Sequence, residues 1–141
     1  MPDFLPDRLE AGTHNVPGIA GLLEGIRFVR RVGSAAISLH ERYLKQVFMS
    51  GIGTDERYEI FACGDDVMQS GVVSFRRRGM DCEELCALLA RKGFALRGGY
   101  HCAPLAHKTA GTLETGTVRF SPSAFNREWE VFQLLEELKK L

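Results

Sequence analysis

The chain has 141 residues, the size of one ordinary domain, and a chain of that length buries roughly two-thirds of the surface its unfolded form exposes. Its 45% apolar and 26% charged residues are those of a soluble globular protein, and 18 basic residues balance 18 acidic ones. That balance excludes a global field for nucleic acid or anionic lipid, and the runs Arg30-Arg31 and Arg76-Arg77-Arg78 read as solvated faces. The start, Met1-Pro-Asp-Phe-Leu-Pro-Asp-Arg8, has neither the basic cluster nor the apolar run of a secretory signal. Glu24 and Arg27 interrupt the most apolar early segment before it reaches membrane-span length. A cytoplasmic protein with reduced cysteines is the expectation.

Residues 7–15 are polar and irregular. Asn15 can accept backbone N–H bonds at a helix start, and Pro17 fits the first turn, where a missing donor is harmless. Ile19, Leu22, Leu23, Ile26 and Val29 recur at helical spacing until Gly33 breaks the pattern. A second helix is predicted over about residues 34–49, with Ile37, Tyr43, Leu44 and Val47 among its apolar positions and Gly51 and Gly53 ending it. The character then turns to strands: residues 58–63, a turn signal at Gly64-Asp65-Asp66, and residues 71–76. Asp81 and Glu84 have the form of a capping box for a helix carrying Leu85, Leu88 and Leu89, which stops at Gly93. Residues 94–97 and 116–120 are further strand candidates around a glycine-rich segment. Asn126 is placed to cap a last helix, in which Trp129, Phe132, Leu135 and Leu138 repeat every three residues. The pattern predicts an α+β fold, with helices packed on a small, mainly antiparallel sheet, and residues 1–33 standing apart without strands of their own.

Three segments carry chemistry. In Arg97-Gly-Gly-Tyr-His-Cys-Ala-Pro104 the glycines free the backbone, Pro104 is expected to hold Ala103 extended, and Cys102 sits beside His101 and near Arg97. A nucleophilic cysteine needs access and thiolate character, which cationic neighbours favour. Taken alone, though, the His-Cys pair fits a small buried cysteine better than a catalytic one. In Gly111-Thr-Leu-Glu-Thr-Gly-Thr-Val-Arg119 a guanidinium on a strand can bind a carboxylate in bidentate fashion, and it fits a structural salt bridge equally well. In Glu10-Ala-Gly-Thr-His-Asn15 a threonine hydroxyl and free N–H groups beside a helix start can cradle a phosphate, although Gly12-Thr13 is a common loop pair.

Other candidates weigh less. Cys82 and Cys86 at i, i+4 could share a metal, but no second Cys or His pair stands at zinc-site spacing, so a structural role is expected. Cys63, in a strand, is expected in the core; His40 and His107 are expected at the surface or in support of the site. No Walker-type phosphate loop is present.

Taken together, the stretch Glu10-Ala-Gly-Thr-x-Asn15 with the helix Gly18-Ile-Ala-Gly-Leu22, then Val73-Ser-Phe75, Arg97-x-Gly-x-His-Cys-Ala-Pro104 and Gly111-Thr-x-x-Thr-Gly-x-Val-Arg119, resemble in order and spacing the class V aminotransferase family. The likeness is strongest to its cysteine desulfurases and selenocysteine lyases. It implies the C-terminal domain of a fold-type I pyridoxal 5'-phosphate enzyme, with residues 1–33 the end of the large cofactor-binding domain and 34–141 the small domain. It implies that Cys102 attacks the sulfur of a cysteine held on the cofactor, leaving a persulfide and alanine. Arg119 would hold the substrate carboxylate, with Arg97 and His101 shaping the substrate side of the cysteine loop. Gly12 and Thr13 would reach the cofactor phosphate, in this family usually that of the partner subunit's active site. The implied partners are cysteine or selenocysteine, a sulfur-acceptor protein and, in the full-length enzyme, a second copy.

The family's cofactor lysine sits in a Ser-x-His-Lys motif upstream of the glycine-threonine segment, and nothing here matches it. His107-Lys108 lies on the wrong side of Cys102, so Lys108 reads as a surface residue. The chain is therefore expected to be a fragment of a longer enzyme, inactive alone and binding no cofactor by itself. The alternatives are a non-enzymatic sulfur carrier or docking module on the same fold, and another class V reaction.

Overall fold

The structure is a computed structural model that describes residues 2–10, 12–64 and 69–141. Met1, Ala11 of the Gly-Thr segment, and Asp65 and Asp66 of the expected turn lie outside the described residues. The chain divides into two compact units, Met1–Ser34 and Ala35–Leu141.

The first unit holds a short 3-10 turn, Asp7–Leu9, and helix α1, Val16–Val32. Asn15 caps α1, its side-chain oxygen accepting the Gly18 N–H at 3.0 Å, and Pro17 stands in the first turn. Gly33 stops the helix with φ 89, a conformation glycine adopts without a steric penalty. None of α1 is buried: Ile19, Leu22, Leu23, Ile26 and Val29 are all about half exposed or more, between 45% and 64%.

The second unit is built on a four-stranded antiparallel sheet in the order β1-β2-β4-β3, comprising β1 (Tyr58–Phe61), β2 (Val73–Arg77), β3 (Arg97–Gly99) and β4 (Thr117–Phe120). Its helices are α2 (Ser34–Ile52), α3 (Cys82–Arg91), α4 (Pro104–Thr109) and α5 (Glu128–Lys139). Because opposed residues share a face, the register places Ile60, Phe75 and Val118 on one side with Val73 and Phe120. That side is the core. Phe48 of α2 is fully buried there, its ring stacked on Phe120 at 4.2 Å and edge-on to Phe75 at 5.2 Å. Burial of a side chain of this size contributes about 1.5–3 kcal/mol.

Several expectations change in the folded chain. Gly51 lies within α2, which runs on to Ile52. A Cβ at Gly51 would stand 2.4 Å from Leu135 Cδ1, so the glycine is there for helix packing and not for termination. The strand predicted at residues 94–97 forms instead at Arg97–Gly99, where β4 offers a pairing edge. Cys63 is exposed beyond the end of β1, not in the core. Asp81 does cap α3, accepting the Glu83 and Glu84 N–H groups at 2.8 and 3.1 Å. Asn126 does not cap α5. The helix starts one residue later, its leading Arg127 N–H is taken by Glu130 at 2.6 Å, and the Asn126 side chain instead accepts the Ser123 N–H. The buried stripe of α5 is Val131, Leu134, Leu135 and Leu138, so the three-residue repeat misplaces Trp129 and Phe132, which stay half exposed. A true helical period of 3.6 carries a strict i+3 series off the face.

Candidate active site around Cys102

Beyond β3 the chain reverses in a single turn. The Ala103 N–H bonds back to the Tyr100 carbonyl at 2.9 Å, and the two central residues, His101 and Cys102, have φ of 51 and 61. Positive φ at both centres is the pattern of a type I′ turn, which ordinarily takes Asn-Gly. Holding two residues with Cβ atoms there costs roughly 1–2 kcal/mol each, a strain the surrounding packing must offset. The result is a cysteine at the apex of a tight turn, exposed. Ala103 is not extended as expected: at φ −127 and ψ 57 it leads directly into α4, with Pro104 in the first turn.

The guanidinium of Arg97, on β3, donates from Nη2 to Cys102 Sγ at 3.7 Å. Arg97 lies directly opposite Arg119 of β4, so both project from the face of the sheet away from the core, in one row with Ser74. Like charges opposed across strands repel. Arg119 makes no ion pair among the described residues, and its Nε is buried without a hydrogen-bond partner. The structural salt bridge is therefore not formed here. An unpaired buried guanidinium N–H beside a second cation fits a carboxylate ligand, since an unsatisfied buried donor costs about 1–3 kcal/mol.

His101 completes the cluster. Its Nε2 meets the buried Thr117 Oγ1 at 3.2 Å, while its Nδ1 is buried and unpartnered. Burial first, then the positive charge of Arg119, with smaller contributions from the neighbouring His107 and Arg97, pulls its pKa below the ordinary 6.5, so the ring is neutral at pH 7. Arg97, His101, Cys102 and Arg119 thus converge in the second unit. A shallow cleft of ≈ 460 Å³ reaches from Cys102 across Gly98, Gly99 and Gly116 to Cys82. Small residues let these segments close up: a Cβ on Gly116 would lie 2.7 Å from Cys82 Sγ, and one on Gly98 would lie 2.9 Å from the Cys82 carbonyl oxygen. Cys82 is buried and Cys86 half-buried, and burial pushes the Cys86 thiol up to about 11. Among the described residues no group of three or more His, Cys, Asp or Glu could hold a metal ion.

Sequence patterning missed two members of the site, Thr117 and Thr112, and left His107 open between two places. Thr117, Thr112 and His107 are all nearly fully buried. Of the two places expected for His107, the surface or support of the site, the structure gives the second: it is buried, and its Nδ1 lies 2.8 Å from Thr112 Oγ1. The available signal was the Pro-Leu-Ala-His-Lys-Thr run, a proline in a first turn followed by good helix formers. Lys108 beside it is exposed, as its sequence position suggested.

Gly12 and Thr13 belong to the first unit. Gly12 has φ 86 with open space where a Cβ would stand, and Thr13 is exposed. The expected free N–H groups of the helix start are occupied: Val16 N–H by His14 O at 2.9 Å, Gly18 by Asn15 Oδ1, and Ile19 by Asn15 O, while Pro17 has none. What the loop offers a phosphate is the Thr13 hydroxyl and the open Gly12 backbone.

The fold is that of the C-terminal domain of fold-type I pyridoxal-phosphate enzymes. The chain belongs to the class V aminotransferase family, whose model it matches over residues 3–134. A probable cysteine desulfurase of Staphylococcus epidermidis is 30% identical over 136 residues, a match covering 96% of this chain and 32% of that protein. One from Methanothermobacter thermautotrophicus is 32% identical over 143 residues, covering all of this chain and 35% of that protein. The apo structure of a cysteine desulfurase from Thermococcus onnurineus NA1 superposes with a TM-score of 0.86 at 32% identity, over 96% of this chain and 33% of that one. No helix among the described residues is long and apolar enough to cross a membrane.

Proposed function

We propose that these residues are the C-terminal part of a pyridoxal-phosphate-dependent cysteine desulfurase in which Cys102 accepts sulfur from free cysteine. The observation that carries this reading is the exposed Cys102 on its strained turn, with Arg97 at 3.7 Å and the unpaired Arg119 on the same sheet face. Arg119, with Arg97 beside it, receives the substrate carboxylate and so orients the substrate thiol toward Sγ. The Cys102 thiolate then attacks that sulfur. A sulfur–sulfur bond forms, the carbon–sulfur bond breaks, and its electron pair leaves with the carbon, which takes a proton to become alanine. The cofactor, when bound, supplies the electron sink that makes this bond cleavage feasible. Thr13 and Gly12 would contribute to the hold on the cofactor phosphate in the partner subunit's active site, and no residue among these 141 matches the lysine that tethers the cofactor.

In this reading residues 1–33 close the large cofactor-binding domain and 34–141 form the small domain. The enzyme works in the cytoplasm as a homodimer and passes the persulfide sulfur to an acceptor protein; selenocysteine is the second substrate its chemistry allows. The decisive experiment is Cys102→Ala in the full-length protein, with alanine and persulfide measured after addition of cysteine. Loss of both is expected. Alanine formed at the unaltered rate would assign the chain to another class V reaction.

A further inference from the structure

Helix α4 presents a physical problem. It has six residues, far fewer than an isolated helix needs, and no side chain caps its N-terminus. Five of the six are exposed, Leu105 to 79%. Yet this helix begins two residues after Cys102, and its position fixes where the strained turn ends.

One side chain anchors it. His107 is the only buried residue of α4, at 6% exposure, and its Nδ1 bonds to the hydroxyl of Thr112, itself 1% exposed. The Thr112 N–H returns to the His107 carbonyl at 2.9 Å, and the Thr112 carbonyl accepts the Gly116 N–H at 2.8 Å, directly ahead of β4. The same imidazole meets the residues on the other side of the turn: the Tyr100 ring edge-on at 5.4 Å and the His101 ring at 5.9 Å. His107 therefore touches the segment entering the turn, belongs to the helix leaving it, and is tied through Thr112 to the sheet that carries Arg119.

We infer that the His107–Thr112 pair is the positioning device for the Cys102 nucleophile. It acts through the turn without touching sulfur, holding Sγ within reach of Arg97 and in fixed relation to Arg119. Because the turn is strained at two residues, releasing one end lets it relax and carries Sγ away from the carboxylate site. The inference takes the proposed sulfur-transfer reading as its setting, but the placement of the thiol can be measured without it.

The test uses the full-length protein with Thr112→Val, which keeps shape and removes the hydroxyl, His107→Leu, which removes the ring, and His107→Asn, which keeps a polar group near the Nδ1 position. Iodoacetamide labelling resolved by peptide mass gives three readings at once. Cys102 reports the turn, exposed Cys63 beyond the far edge strand is the reference, and buried Cys82 reports whether the fold is intact. With Cys82 still protected, Thr112→Val and His107→Leu should each change the Cys102-to-Cys63 labelling ratio by about threefold or more. They should also lower kcat for alanine formation about tenfold, with KM for cysteine within about twofold. His107→Asn should recover most of both. An unchanged labelling ratio in Thr112→Val and His107→Leu with Cys82 protected would overturn the inference. So would exposure of Cys82 in both variants, since the pair would then hold the fold and nothing finer. If the ratio shifts as expected but the unaltered protein makes no alanine from cysteine, the positioning role stands and the desulfurase reading falls.

Discussion

Gly116 is where the glycines of the Cys102 cleft meet their tightest constraint, and Gly116→Ala gives a magnitude that can be worked from geometry. The residue has φ 61, and an added Cβ would lie 2.7 Å from Cys82 Sγ and 3.2 Å from Gly99 Cα. The left-handed backbone costs an alanine roughly 1–2 kcal/mol. Overpacking against a buried sulfur and a backbone atom, neither free to swing away, adds about 1–3 kcal/mol. Gly111→Ala separates the two contributions, because Gly111 has φ 67 with nothing within 4 Å of its Cβ position. Any stiffening of the unfolded chain by alanine is common to both variants. The assay is urea unfolding followed by the fluorescence of Trp129, the one tryptophan in the sequence. Gly116→Ala should unfold earlier than Gly111→Ala by about 1 M urea, from a gap of about 1–3 kcal/mol and the slope usual for small domains. Equal midpoints would show that α3 and β4 do not approach as closely as described, and the account of the cleft would fail with them.

Three further outcomes follow from the same geometry. His101 should titrate below the ordinary 6.5 in a proton NMR titration, and Arg119→Gln, by removing the largest of the neighbouring charges, should move it upward while burial keeps it depressed. Since the unfolded ring takes its proton first, this histidine's contribution to stability should be lost as pH falls from about 6.5 through the folded pKa, and a flat stability curve there would contradict it. At the alkaline end, Cys86 ionises near 9.0 when free and near 11 in the fold, so stability should fall as pH rises across that interval. Cys86→Ala should flatten the fall. Finally, the apolar stripe of α1 predicts self-association of the isolated chain, relieved by Leu22→Glu, with light scattering against concentration as the check.

Cys102 carries both sides of the relation between sequence and structure in this protein. Its neighbours in the chain, Arg97, His101 and Pro104, were legible because motif spacing survives in one dimension, and so was the class V resemblance. The α+β pattern, the Asn15 and Asp81 caps and the apolar face of α1 were legible for a related reason: helix starts and periodicities are set by residues within a turn or two of each other. Pairing is not local. That Arg97 stands directly opposite Arg119, that β3 forms at residues 97–99, and that α5 turns Trp129 and Phe132 outward all depend on which surfaces meet. The positive φ at His101 and Cys102 was equally hidden, because few residues other than glycine adopt it, histidine somewhat more often than cysteine, and here the surrounding packing imposes it on both. His107 was left open between the surface and a supporting place for the same reason. The run Pro104-Leu-Ala-His-Lys-Thr109 signals a short helix but not which side of it is covered, and only the contact with Thr112 puts His107 at the base of the cysteine turn.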